Sequence, residues 1–302
     1  MLQQFQHRKP EPSNIALGLF DSGVGGLSVV RELYNRGVEV PMLYVADQIH
    51  APYGCQTIGE VKGFSEGITN FLTERGVNCI VLACNTASAA ALYHLREKYP
   101  HIPFVGMEPA VKPASENSRN GRIAVLATRI TFQGELYNRV IKRYAEHTDV
   151  ETVICSELVE LVEQGDFQSQ ETEKCIRKLV EPLLAKNIDQ LVLGCTHFSF
   201  LKPVIREIAG EKADIVDPAN AVATQTLRIL NQMTTSSMMD KTKEQTPGLS
   251  NQFFTTGRTS TMRNMVSHIL QKDFNVCQAS WQNRKLEIVS DTQHDSTIYQ
   301  NA

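Results

Sequence analysis

The chain has 302 residues, 42 % apolar and 21 % charged, with a net charge of −3. That length carries one to three domains with a large buried core, two being the central expectation. The mild acidity argues against an electrostatic binder of nucleic acid or of a membrane surface, and no apolar run reaches the roughly 20 residues that a spanning helix needs.

Residues 1–14 are polar, contain Pro10 and Pro12 and lack the apolar stretch of an export signal, so they read as a disordered leader. Strands are expected at Ile15–Asp21, Pro41–Asp47, Cys79–Asn85, Ile102–Met107, Arg122–Thr128, Val150–Cys155, Gln190–Thr196 and Asp214–Val216. Their continuous Val/Ile/Leu character suits strands buried on both faces, as in parallel sheets. Between them, Phe64, Ile68, Phe71 and Leu72 follow helical spacing, as do Leu136, Val140, Ile141 and Tyr144, and again Ile176, Leu179, Val180, Leu183 and Leu184. Thr234–Asn251 reads as a linker or surface loop. Gln252–Gly257 reads as a strand, Ser260–Gln271 as a helix, and residues 291–302 as a mobile tail.

Alternation of strand and helix predicts an α/β chain whose active groups gather at the carboxyl ends of parallel strands. Asp21, Asp47, Cys84, Thr128, Cys195 and Asp217 all fall at or just past expected strand ends. Val81-Leu82-Ala83-Cys84-Asn85-Thr86 and Val192-Leu193-Gly194-Cys195-Thr196-His197 repeat one unit, an apolar strand ending in a thiol and turning into a helix. The repeat predicts two pseudo-symmetric α/β domains with mainly parallel sheets and the active site in the cleft between them. Residues 15–108 with 218–290 form the domain carrying Asp21 and Cys84; residues 109–217 form the one carrying Cys195.

Taken singly, a free cysteine reads as a small buried hydrophobe. Cys84 and Cys195 differ because helix-capping residues follow each of them, and a helix N-terminus favours thiolate over thiol. Cys55, Cys79, Cys155, Cys175 and Cys277 lack that context. The seven cysteines form no C-x-x-C pair, which argues against a dithiol redox protein and points to free thiols in a reducing cytoplasm. A zinc site is not expected, since His197 follows Cys195 without a second ligand cluster. Phe20-Asp21-Ser22-Gly23-Val24-Gly25-Gly26 ends a strand in an acid and opens a helix through a glycine-rich turn. It fits neither G-x-G-x-x-G nor the P-loop pattern, so its glycines read as a close backbone approach to a small anion. Tyr53 and Gly54 lie on an ordinary turn, Glu163 reads as a helix charge, and His197 as a helix cap or a proton partner of Cys195.

Asp21-Ser22-Gly23, Ala83-Cys84-Asn85-Thr86-Ala87-Ser88 and Gly194-Cys195-Thr196-His197 together resemble the glutamate racemases, within the cofactor-independent amino-acid racemases, from about Ile15 to Gly257. Gly194-Cys195-Thr196-His197-Phe198 and the stretch 155–165 resemble the Gram-negative proteobacterial forms. The resemblance implies interconversion of L- and D-glutamate for peptidoglycan synthesis, with no pyridoxal phosphate and no metal. Cys84 and Cys195 would be the two acid/bases, Asp21 assisting Cys84 and His197 with Glu163 assisting Cys195. Ser22, Tyr53, Gly54, Asn85, Thr86, Thr196 and His197, with Asp21, would hold the substrate's amino and carboxylate groups. It further implies a monomer or homodimer and, in the Gram-negative forms, activation by UDP-N-acetylmuramoyl-L-alanine. An aspartate or hydantoin racemase, or a non-catalytic gyrase-binding member, are the alternatives. The chain departs from many relatives in carrying Ala46-Asp47-Gln48 for Gly-Asp-Thr and Phe198-Ser199 for Tyr-Pro.

Overall fold

The computed structural model describes residues 15–239 and 249–289; the leader, residues 240–248 of the expected linker and the tail from 291 lie outside them. Eleven strands and eleven α-helices alternate through the described residues. The first sheet draws on β1 (Leu17–Asp21), β2 (Met42–Ala46), β3 (Cys79–Leu82), β4 (Phe104–Val105), β9 (Gln252–Thr255), β10 (Val276–Gln282) and β11 (Lys285–Ile288). The second draws on β5 (Arg122–Ala127), β6 (Asp149–Ile154), β7 (Gln190–Gly194) and β8 (Asp214–Val216).

The first sheet has the order β11-β10-β9-β2-β1-β3-β4 and the second β6-β5-β7-β8. The run β2-β1-β3-β4 has the same connectivity as β6-β5-β7-β8, so each sheet holds one copy of a four-strand unit. In that correspondence β3, which leads to Cys84, matches β7, which leads to Cys195. Every pairing is parallel except β10 with β11. All residues of β1, β2, β3 and β7 are buried, which explains their unbroken apolar sequences: each has helices on both faces. The edge strand β6 differs, its side chains exposed or half-buried, as are most of those on β11 and several on β8 and β10.

The helices are α1 (Leu27–Asn35), α2 (Ile58–Thr73), α3 (Asn85–Lys98), α4 (Val111–Asn117), α5 (Arg129–Gln133), α6 (Glu135–Tyr144), α7 (Glu157–Glu163), α8 (Gln170–Ala185), α9 (Phe198–Ala209), α10 (Ala219–Met239) and α11 (Thr259–Leu270). Helix α2 begins in a capping box, Thr57 Oγ1 accepting from the Glu60 amide while the Glu60 carboxylate accepts from the Thr57 amide, worth about 1 kcal/mol. Its buried face includes Val61, Ile68, Phe71 and Leu72.

Two expectations shift, and one element carries no signal in the sequence. The strand expected over Ile102–Met107 is only the pair Phe104–Val105. Helix α10 runs to Met239, so the first part of the expected linker is helical; the Thr234 and Thr235 hydroxyls, which read as turn formers in sequence, donate instead to the carbonyls of Leu230 and Asn231 one helical turn back. The antiparallel β10–β11 hairpin, turning through Asn283 and Arg284 at φ 48° and 66°, carries no Asn-Gly signal in sequence.

Candidate active site

The site lies where β1, β3, β5 and β7 end. Asp21 is the last residue of β1 and is fully buried. Its Oδ1 accepts from the Ser22 amide at 2.7 Å, and its Oδ2 from the Gly26 amide at 2.6 Å and the Thr196 hydroxyl at 3.2 Å. Burial raises its pKa above the ordinary carboxyl value, against the lowering effects of His197 and of a hydrogen bond with Cys84.

Cys84 is the N-cap of α3. Its backbone is extended (φ −144°, ψ 122°) and its Sγ accepts from the Ala87 amide at 3.4 Å. Burial and the Asp21 carboxylate push this thiol well above the usual range, so in the unliganded protein it holds its proton. The next residue, Asn85, is 2 % exposed, and both polar atoms of its amide lack a hydrogen-bond partner among the described residues. A buried amide left unsatisfied costs on the order of 1–3 kcal/mol, and a polar ligand would relieve that cost. Thr86 Oγ1 meets Thr128 Oγ1 at 2.9 Å, and Thr128 meets Thr131 at 3.0 Å.

Cys195 directly follows β7. It does not cap α9 as its repeat partner caps α3: the N-cap there is His197, after one tight turn in which the Phe198 amide donates to the Cys195 carbonyl. What faces the Cys195 sulfur is instead a side chain, His197 Nδ1 at 3.6 Å. The other ring nitrogen, Nε2, lies 2.6 Å from Glu163 Oε1. Burial lowers the His197 pKa, but the Cys195 and Glu163 contacts outweigh it and hold it well above 6.5. Burial raises Glu163, but His197, Gln48 and the Val24 amide outweigh that and lower it below 4.5. The pair is therefore ionised at neutral pH.

The glycine-rich turn finds its anion inside the protein. The Val24 amide donates to Glu163 Oε1 at 2.7 Å. A Cβ on Gly23 would stand 1.8 Å from that oxygen, and one on Gly25 would stand 2.4 Å from Thr196 Oγ1 and 2.5 Å from His197 Nδ1. These two glycines let the turn after β1 approach the side chains beside Cys195 closely.

The remaining expected residues divide. Ser22 is buried beside Asp21, and Gly54 packs against Thr128. The Tyr53 phenol donates to Asp47 at 2.7 Å, so it is committed to the residue that follows β2. Asp47 is a structural hub: besides Tyr53, Thr256 and Trp281 donate to it and His50 Nδ1 lies 2.9 Å away. Asp217 accepts from Ser199 and from the Ala219 amide at the start of α10. Their positions at strand ends pointed to chemistry, yet both anchor loops. Cys155 is buried against the backbone carbonyls of Val153 and Ala127. Among the described residues no His/Cys/Asp/Glu group is arranged to hold a metal ion. Gln48, noted in the sequence only as a departure, contacts Glu163 directly.

The two thiols lie near enough to act electrostatically on each other, and they are 4 % and 7 % exposed. Two buried sulfurs within electrostatic reach of each other, one beside a carboxylate and one beside an imidazole–carboxylate pair, are groups able to exchange protons with a small molecule.

Comparison with known proteins points to one enzyme family. The sequence profile of the Asp/Glu/hydantoin racemases matches residues 28–226. A glutamate racemase of Pseudomonas aeruginosa is 45 % identical over 216 residues, covering 72 % of this chain and 82 % of that protein. One from Clostridium perfringens is 39 % identical over 219 residues, covering 72 % and 84 %. Among solved structures, a glutamate racemase isoform from Bacillus anthracis matches with a TM-score of 0.76 at 28 % identity, over 88 % of this chain and 97 % of that one. The Escherichia coli glutamate racemase, in complex with L-glutamate and the activator UDP-MurNAc-Ala, matches with a TM-score of 0.75 at 30 % identity, over 91 % and 99 %.

Proposed function

The chain belongs to the Asp/Glu/hydantoin racemase family, on its glutamate racemase branch, and from that premise we propose that Cys84 and Cys195 interconvert L- and D-glutamate as a two-base pair. The two buried thiols, each near enough to act electrostatically on the other, carry this reading. Racemisation breaks the Cα–H bond on one face and forms a new one on the other. One sulfur enters as thiolate and takes the substrate proton to become a thiol; the other gives its proton to the carbanion and becomes the thiolate. The reverse direction exchanges the roles, so no base has to turn over.

The surroundings supply what each sulfur needs. His197, held as an imidazolium by Glu163, stands 3.6 Å from the Cys195 sulfur and stabilises its thiolate. On the other side Cys84 begins protonated, and Asp21 is placed to accept its hydrogen bond. The substrate's α-ammonium brings a positive charge into a pocket that already contains Asp21, which lowers the cost of a nearby thiolate. Ser22, the Gly54 backbone, the unsatisfied Asn85 amide, Thr86 and Thr196 hold the ammonium and carboxylate, with Tyr53 bracing the turn that carries Gly54. With both thiols nearly inaccessible, the two lobes part to admit substrate and close to exclude water while the carbanion exists. Residues 15–108 with 218–290, and residues 109–217, are the two lobes. The product D-glutamate serves peptidoglycan synthesis in the cytoplasm, where free thiols persist.

The test is purified protein with L-glutamate and no added cofactor, followed by polarimetry. Rotation decaying to zero is the expected result, and an unchanged signal with or without UDP-N-acetylmuramoyl-L-alanine would overturn the reading. Parallel incubations with L-aspartate and a hydantoin stay optically active if the side-chain specificity is for glutamate.

A further inference from the structure

We propose that Gln48 is an inter-lobe latch that holds Glu163 in line with His197, so that closing the cleft completes the proton partner of Cys195. This rests on the reading of Cys195 as a base and assigns a positioning residue to that side of the site. The latch is a continuous chain of hydrogen bonds. In the first lobe the Thr255 hydroxyl donates to Gln48 Oε1 at 2.6 Å and itself accepts from the Gly257 amide at 2.9 Å. That fixes which end of the Gln48 amide faces away from β9. Gln48 Nε2 then donates across the cleft to Glu163 Oε2 at 2.7 Å. Glu163 Oε1 meanwhile accepts from the Val24 amide and meets His197 Nε2 at 2.6 Å.

Both donors that fix the Glu163 carboxylate from outside its own lobe thus come from the lobe carrying Asp21 and Cys84. Parting the lobes removes both together and leaves Glu163, at the C-terminal end of a seven-residue helix with 17 % side-chain exposure, free to leave the imidazole. Closure restores them.

The groups facing Glu163 are known from every side: Gln48 and the Val24 amide from the first lobe, His197 from the turn after β7, and the more distant Asp21 and Tyr44. His197 faces Cys195, Glu163 and Asp21. Of these, only Gln48 and Val24 donate neutral hydrogen bonds to the carboxylate. Losing the Gln48 donor therefore makes Glu163 easier to protonate, and a protonated Glu163 no longer stabilises the imidazolium.

The discriminating variant is Gln48→Met, which keeps length and approximate volume but has no amide. Expected are an unchanged melting temperature, a loss in kcat/KM of roughly tenfold at neutral pH, and an acid limb moved up by about one pH unit. The alkaline limb stays in place. In a Glu163→Gln background the same substitution adds no further loss, because the two residues act in series. Thr255→Val, which frees the Gln48 amide to rotate, moves the acid limb the same way by a smaller amount and serves if Gln48→Met folds poorly. A wild-type acid limb in both variants, or fully multiplicative losses in the double variant, overturns the latch. Cys195→Ala assayed alongside separates the two ideas: retained racemisation there refutes Cys195 as a base, whereas an inactive Cys195→Ala with a wild-type-like Gln48→Met refutes only the latch.

Discussion

The two thiols sit at equivalent points of a duplicated unit, after β3 and after β7, yet their environments are unalike. Cys84 caps a helix, accepts the Ala87 amide and lies beside the buried Asp21 carboxylate. Cys195 caps no helix and faces His197, which is in turn held by Glu163. One thiol is therefore governed by a helix N-terminus and an acid, the other by an imidazole–carboxylate pair. The repeated unit sets a thiol after each of two matching strands, and the side chains around each thiol offer a different way of managing a proton. The overall equilibrium is symmetric, since enantiomers have equal free energy in water. kcat/KM must then match in the two directions, and the asymmetry between the thiols shows only where a single proton transfer is observed.

The largest effect that breaks the comparison is removal of either sulfur. Cys84→Ala and Cys195→Ala should each reduce steady racemisation on the order of 10³-fold or more, in both directions alike; a variant that keeps most of its rate removes that thiol from the scheme. Next come the partners. His197→Asn and Asp21→Asn should each lower kcat/KM roughly 10²-fold. Their pH profiles should differ, because one variant loses an imidazole that stays charged at neutral pH and the other a buried carboxyl. Superimposable profiles would mean the partners are not specific to their thiols.

A smaller effect concerns stability. Glu163 lies below 4.5 in the folded protein, so its contribution is present above about that pH and lost as pH falls through the lowered value. His197 lies well above 6.5, so its contribution is complete below about 6.5 and lost as pH rises through the raised value. Glu163→Gln should cost on the order of 2 kcal/mol across the window between these values and less on either side. Melting temperature measured against pH tests this, and a cost independent of pH would show that packing rather than the ion pair is lost.

Much of this was legible in the sequence because it depends on local pattern. Buried parallel strands write themselves as apolar runs, and the two strand–thiol–turn segments place Cys84 and Cys195 at carboxyl ends from pattern alone. The glycine-rich turn was legible as an anion cradle, but not that its anion is Glu163, 139 residues away in the chain. Asp47 and Asp217 obeyed the same positional rule as Asp21 and turned out to anchor loops, since a strand end says where a side chain emerges and not what meets it. Gln48 was visible only as an oddity, because its meaning depends on a partner in the other lobe and on Thr255 beyond a segment that composition marked as linker.

The most direct test follows solvent deuterium into Cα with each thiol removed in turn. Each remaining sulfur should wash deuterium into one enantiomer without inverting it, Cys84→Ala acting on one hand and Cys195→Ala on the other. If both variants label the same enantiomer, or if either labels both, the sulfurs do not address opposite faces of one carbon and the account fails.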